Sequence, residues 1–254
     1  MATYKKRGYK PKTKKEKEEI VEENSTTAEV FNTLDESASK TEEWVVKNQN
    51  YILGVIGAIA LVVLSYLGYN RFVVEPQAKD AMNEMYQAKS YFEDAVNGIS
   101  SDSLFTMALN GGEGKYGMLD IISEYSGTPA ANLANYYAGM SYLNLKDYSN
   151  AITYLSDFSS DDKMLGPIAL GGIGDAFAQL EQPNDALDYY EKAFNKSNNN
   201  YTTPMYLMKA AQIAIDLGEN QKALDYLKRI ESEFSSSTEA STVKILIGKV
   251  EASM

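Results

Sequence analysis

Three stretches of the chain decide its fold: YAGMSYLNLKDYSNAITYL (137–155), GIGDAFAQLEQPNDALDYY (172–190) and KAAQIAIDLGENQKALDYL (209–227). Set one above another, they share a small residue at Gly139, Gly174 and Ala211, and an alanine twelve positions later at Ala151, Ala186 and Ala223. The alanines are 35 and 37 residues apart. Between the two marks of each copy lies a polar break: 145–147, 180–183 and 217–220. Two helices approach closely only where a side chain nearly vanishes, and one helix pair alone cannot bury its apolar face. The pattern therefore predicts a stack of helix pairs. No stretch alternates with period two for long, so the expected fold class is all-α.

This unit resembles the tetratricopeptide repeat (TPR), a helix–turn–helix of about 34 residues with small residues where paired helices touch. Three copies occupy 132–237. A fourth, degenerate copy is expected within 71–131, with Gly117, Ile121 and Pro129 in its second helix and its first helix before Gly111. Residues 238–254 hold a capping helix, with Val243, Leu246, Ile247 and Val250 on one side and Glu239, Lys244, Lys249 and Glu251 elsewhere. The resemblance implies a superhelix whose first helices line a concave face. By register that face carries Leu143, Ile168, Gly171, Ala178 and Ile215, together with a candidate partner-binding groove of Leu133, Tyr136, Met140, Asp175, Met205, Met208 and Gln212. Methionine and tyrosine adapt to varied apolar segments. The competing reading has half of these residues packing against neighbouring helices. Some TPR proteins grip a C-terminal carboxylate through groove lysines. Tyr136, Gly171 and Met208 stand where the first such lysine is expected, which argues against that mode.

Toward the N-terminus, Pro76 suits a first helical turn. From Ala78 to Val96, Ala81, Met82, Met85, Ala88, Tyr91, Phe92, Ala95 and Val96 recur at the spacing of an amphipathic helix, with Gly98 to end it. Before this comes YILGVIGAIALVVLSYLGY (51–69), nineteen residues without a charge. At about 1.5 Å per residue it spans roughly 28 Å, close to the hydrocarbon thickness of a bilayer. Trp44 and Tyr51 at one end, and Tyr66 and Tyr69 at the other, are the expected membrane-interface residues of a segment spanning 44–70. The apolar run is too long and starts too late for a cleaved signal peptide. Gly54 and Ala58 form a small-xxx-small pair, a pattern common by chance.

Residues 1–43 read as a disordered or transiently helical charged tail. Residues 1–17 carry eight Lys/Arg (Lys5, Lys6, Arg7, Lys10, Lys12, Lys14, Lys15, Lys17) against Glu16, and residues 18–43 carry nine acids against Lys40. The basic tip is either a solvated tail or a contact with anionic lipid or ribosomal RNA. Because short basic segments stay in the cytoplasm, the expected orientation is N-terminus inside and repeat domain outside.

Net charge is −11, with 25 acids against 13 bases from Phe72 onward, so the folded part lacks the basic surface that nucleic acid requires. With no cysteine and no histidine, thiolate nucleophiles, disulfides, Cys/His zinc sites and His-based triads are excluded. Paired acids could still hydrolyse glycosides. The adjacent pair Asp161 and Asp162, however, falls in a turn, and the stretch 111–114 follows no strand as a phosphate loop would. No enzyme activity, cofactor, metal site or small-molecule substrate is expected.

The whole arrangement resembles the YfgM-like family of ancillary Sec translocon subunits. A Lys-rich N-terminus is followed by EEWVVKN (42–48) running into one apolar helix, then an amphipathic helix, then repeats. That resemblance implies a bacterial inner-membrane protein with a periplasmic TPR domain. Its partners would be the SecYEG translocon, a periplasmic chaperone of the peptidyl-prolyl isomerase class, and exported polypeptides. The alternative is a structural TPR subunit of another secretion or cell-envelope assembly.

Overall fold

The computed structural model describes residues 13–98 and 102–254. The chain divides into two units, Met1–Tyr69 and Asn70–Met254. Among the described residues there is no β-strand, only an isolated bridge between Gly112 and Lys115.

The first unit holds one helix, α1 (Lys14–Tyr69), about 84 Å long at 1.5 Å per residue. It stops at the last residue of the nineteen-residue apolar run. It also begins far inside the stretch read from sequence as a tail. That difference has a local cause: Lys14 to Glu23 consists almost wholly of Lys and Glu, strong helix formers that need no packing partner to prefer helical backbone. The basic residues Lys5, Lys6, Arg7, Lys10 and Lys12 lie outside the described residues. Within 51–69 no residue is buried, and α1 contains a window long and apolar enough to cross a membrane. Trp44, Tyr51, Tyr66 and Tyr69 are all exposed.

The second unit opens with a π-helical turn, Asn70–Val74, and then α2 (Glu75–Asn97), with Pro76 in its first turn. Ala81, Met85, Ala88, Tyr91, Phe92 and Ala95 form its buried side, while Met82 and Val96 face solvent. Next come α3 (Asp102–Asn110) and α4 (Met118–Glu124), split by a turn in which Gly111 adopts φ 82°. Of the residues expected in a degenerate second helix, Ile121 is buried in α4, while Gly117 stands outside it as its N-cap. Pro129 belongs elsewhere. It opens the next helix, where its missing N–H costs nothing and Thr128 caps the end by accepting from the Ala131 N–H at 3.2 Å.

Three helix pairs follow: α5 (Pro129–Asn144) with α6 (Tyr148–Asp157), α7 (Leu165–Gln179) with α8 (Pro183–Lys196), and α9 (Thr202–Asp216) with α10 (Asn220–Glu233). The last helix is α11 (Ala240–Glu251). Each packs on the next along the chain, and α5, α7 and α9 also touch in succession. The turn inside each pair repeats atom for atom. Lys146, Glu181 and Gly218, each five residues before the central alanine, adopt φ of 64°, 58° and 76°. The next N–H in each case returns to a carbonyl five residues back: Asp147 to Tyr142, Gln182 to Phe177, Glu219 to Ala214. These are Schellman closures, and only the third uses the residue that enters the left-handed region without strain.

The small residues act as sockets. A Cβ on Gly139 would lie 2.5 Å from Leu155, and one on Gly174 would lie 2.7 Å from the Tyr190 ring. Leu155, Tyr190 and Leu227 each follow a central alanine by four residues, and all three are buried. Leu155 and Tyr190 are the knobs that enter the glycine sockets, and Leu227 shares a core cluster with Ala211. Leu155 serves two helices, since a Cβ on Gly172 of α7 would also come within 3.0 Å of it. The core is a chain of clusters: α2, α4 and α5 around Met85, Met118 and Ile121; α5 to α7 around Tyr136, Leu155 and Ile173; α8 to α11 around Tyr190, Leu207, Leu227 and Val243.

Candidate protein-binding face

The first helices of the pairs, α5, α7 and α9, carry the residues assigned by register to the groove. The structure separates them. Leu133 and Met140 on α5 and Met205 and Met208 on α9 are half-buried, seated on the core with one side open. Leu143, Ile168, Ala178 and Ile215 share that half-buried state. Gln212 is exposed and donates to Asp216 at 3.3 Å.

Tyr136 differs from the expectation: it is 8% exposed and belongs to the core between α5 and α7. Its ring meets Tyr137 at 5.5 Å and Phe158 at 5.3 Å between centroids. Burial pushes its phenol up to about 12. Gly171 is buried too, because a side chain from the next repeat fills its place: a Cβ there would lie 1.9 Å from the Tyr206 ring. Neighbouring side chains cover these two positions, so neither is open for a partner to touch.

Asp175 is the charged member of the set, and it does not stand alone. Lys209 Nζ lies 2.6 Å and 2.8 Å from its two carboxylate oxygens, and the Tyr190 hydroxyl donates to Oδ1 at 2.7 Å. The Tyr190 and Tyr206 rings stack at 6.2 Å, and Lys209 sits 5.7 Å and 5.8 Å from their centroids. Desolvation, with the Asp175 charge second, raises both phenols, so they remain neutral hydrogen-bond donors throughout the physiological range. The ion pair is about one-third exposed on each side, so it contributes on the order of 1 kcal/mol or less. Its larger effect is to neutralise both charges at the centre of an otherwise apolar face.

Neither Tyr190, Tyr206 nor Lys209 figured among the sequence-assigned groove residues. One signal was available: Tyr190 occupies the knob position held by Leu155 and Leu227. A tyrosine there carries a hydroxyl through the helix layer toward the face of α7. Elsewhere, a cleft of about 320 Å³ lies between the α8–α9 and α10–α11 connections, lined by Tyr201, Phe234 and Ser236 to Glu239, at the loop edge.

Residues 133–161 match a family model described as Tetratricopeptide repeat. The match begins in α5, takes in α6 and ends beyond it, so it covers the first of the three helix pairs. The remaining pairs share its sockets, knobs and turns. No curated protein and no solved structure matches the chain. The fold is an all-α helical repeat with one apolar helix near the N-terminus, and such arrays are typically protein-interaction scaffolds without catalysis.

Proposed function

We propose that this protein is a non-enzymatic, membrane-anchored TPR adaptor that docks an apolar polypeptide segment on the face of α5, α7 and α9. The observation that supports this most directly is the row of half-buried, flexible side chains at Leu133, Met140, Met205 and Met208 around a self-neutralised Asp175–Lys209 pair. Such a face gains from covering apolar surface, and its thioethers repack around varied partners. It presents no unpaired charge at its centre that a partner would have to satisfy. Tyr136 supports the face from below rather than touching the partner.

The stretch 51–69 supplies the anchor, with Trp44, Tyr51, Tyr66 and Tyr69 at the two interfaces. The basic tip stays in the cytoplasm, against anionic lipid or ribosome, and the repeats lie on the periplasmic side. The resemblance to the YfgM-like family supports a place beside the SecYEG translocon, docking a peptidyl-prolyl isomerase-type chaperone and assisting exported polypeptides. Protease added to intact spheroplasts should trim residues 72–254, and protection until lysis would reverse the topology. Purification from gently solubilised membranes should bring down translocon components with the wild-type chain. Met140→Gln with Met208→Gln should weaken their recovery with only a small shift of the unfolding transition. Recovery of other envelope-assembly subunits instead would replace the translocon assignment but keep the adaptor.

A further inference from the structure

Helix α1 carries a second periodicity, ahead of the apolar run. Glu22, Glu29, Glu36 and Glu43 stand at strict intervals of seven. On the opposite side of the same register, at alternating steps of four and three, come Leu34, Ala38, Thr41, Val45, Asn48 and Ile52. A straight α-helix drifts about 20° per heptad against a seven-residue repeat, roughly 60° from Glu22 to Glu43. Both stripes keep to their own sides only if the helix winds around another helix. Leu34, Ala38, Thr41 and Val45 are all exposed and, with Glu42 and Val46, line a shallow groove along α1. A solvated helix gains nothing from holding such a stripe in register, and packing on a globular partner would follow the 3.6-residue period. The seam therefore fits a second helix of the same pitch.

The residues beside the seam identify that helix. One shoulder holds Asp35, Glu42 and Gln49, and the other Val30, Ser37 and Trp44. In two parallel, in-register copies each shoulder faces the other five residues on: Val30 meets Asp35, Ser37 meets Glu42 and Trp44 meets Gln49, with no like charges opposed. An antiparallel pair over the same span would set Glu42 against Glu42. Parallel pairing also brings each Asn48 to its own copy, where a single polar seam residue fixes register, and β-branched Val45 and Ile52 alternating with Leu34 favour two strands. The glutamates at intervals of seven then lie farthest from the partner, where solvent and salt screen their repulsion. We infer that residues 34–52 of two copies of this protein wind into a parallel coiled coil. The seam lies on α1 alone, apart from the face of α5, α7 and α9; only the shared orientation of the two copies rests on the anchor reading.

The absence of cysteine makes the test direct, because one introduced thiol is the only thiol in the chain. Full-length Ala38→Cys and Val45→Cys, oxidised in their membranes with copper phenanthroline, should each give a covalent species of twice the chain mass on a non-reducing gel. Ser39→Cys and Glu43→Cys, exposed on the other side of the register, should give several-fold less. Cross-links at both seam positions, one heptad apart, require copies that are parallel and in register. Adding Leu34→Asp to Val45→Cys should lower its yield several-fold. Equal yields from all four thiols, no dimer from either seam position, or a yield indifferent to Leu34→Asp would overturn the proposal. So would seam adducts of another mass, which would assign the groove to a different protein. Alkaline carbonate reads the anchor separately. Seam cross-links in a chain that carbonate extracts would keep the coiled coil and remove the anchor, and a carbonate-resistant chain without them would do the reverse.

Discussion

Helix α7 and the stretch 51–69 of α1 are both almost wholly apolar, yet they spend that apolarity in opposite ways. In α7 eight residues are buried, among them Gly171, Gly172 and Gly174, which are notches into which Tyr206, Leu155 and Tyr190 fit. In 51–69 no residue is buried, and Gly54, Gly57 and Gly68 have nothing within 4 Å of a Cβ position. The first helix is apolar because protein surrounds it. The second is apolar all round and buries none of its residues, the condition that a bilayer satisfies. Apolar content alone does not separate the two cases; the pairing of small residues with knobs at fixed offsets does.

The largest expected effect falls on the α7 side of that comparison. Leu155→Ala empties two sockets at once and should cost about 2–5 kcal/mol, read as a lower urea midpoint for the repeat domain, with membrane association unchanged. Leu61→Arg tests the other side. A charge at the centre of the apolar run should cost about 3 kcal/mol of insertion, and the chain should become extractable by alkaline carbonate while the urea midpoint stays put. If both variants moved both readouts, the two apolar helices would not be doing separate jobs.

Alkaline pH sharpens the contrast next. The Tyr136 phenol is raised from 10 to about 12 by burial, so the fold favours its neutral form. That contribution is whole below pH 10 and is lost as pH rises through 12, about 2–3 kcal/mol in all. Tyr190, Tyr206 and Tyr226 are shifted in the same direction, chiefly by desolvation. Thermal unfolding should therefore be flat from pH 6 to 9 and fall steeply above 10, and Tyr136→Phe should flatten part of the fall. The smallest effect is at the turns. Gly218→Ala puts a Cβ where φ is 76° and should cost about 1 kcal/mol, whereas Lys146→Gly at the equivalent turn should cost less or stabilise.

Much of this was legible because repeats compare a sequence with itself. Gly139, Gly174 and Ala211 against Ala151, Ala186 and Ala223 give helix pairs, turn positions and sockets without reference to any other protein, and the structure places each where the offset requires. What the offsets could not carry was interaction between repeats. Tyr136 and Gly171 were assigned from their own helices, but their burial depends on Phe158, just past the end of α6, and Tyr206 of α9. The Asp175, Lys209, Tyr190 cluster joins three helices from two repeats, so no single-helix pattern contains it. Pro129 was misplaced because a proline before an alanine run suits either the end of one helix or the start of another, and only the Thr128 cap decides it. The helix over Lys14 to Glu43 arises from local propensity in residues whose charge and low apolarity read as a tail.

The claim at the centre is that a partner polypeptide sits on the face of α5, α7 and α9. A photo-crosslinking amino acid placed singly at Met140, Met208, Asp188 or Ser156, in the full-length chain in its membrane, tests it most directly. Asp188 and Ser156 are exposed on the second helices, α8 and α6. Discrete adducts to another polypeptide are expected from Met140 and Met208 and none from Asp188 or Ser156. Adducts from the second-helix positions alone, or none from any, would contradict it.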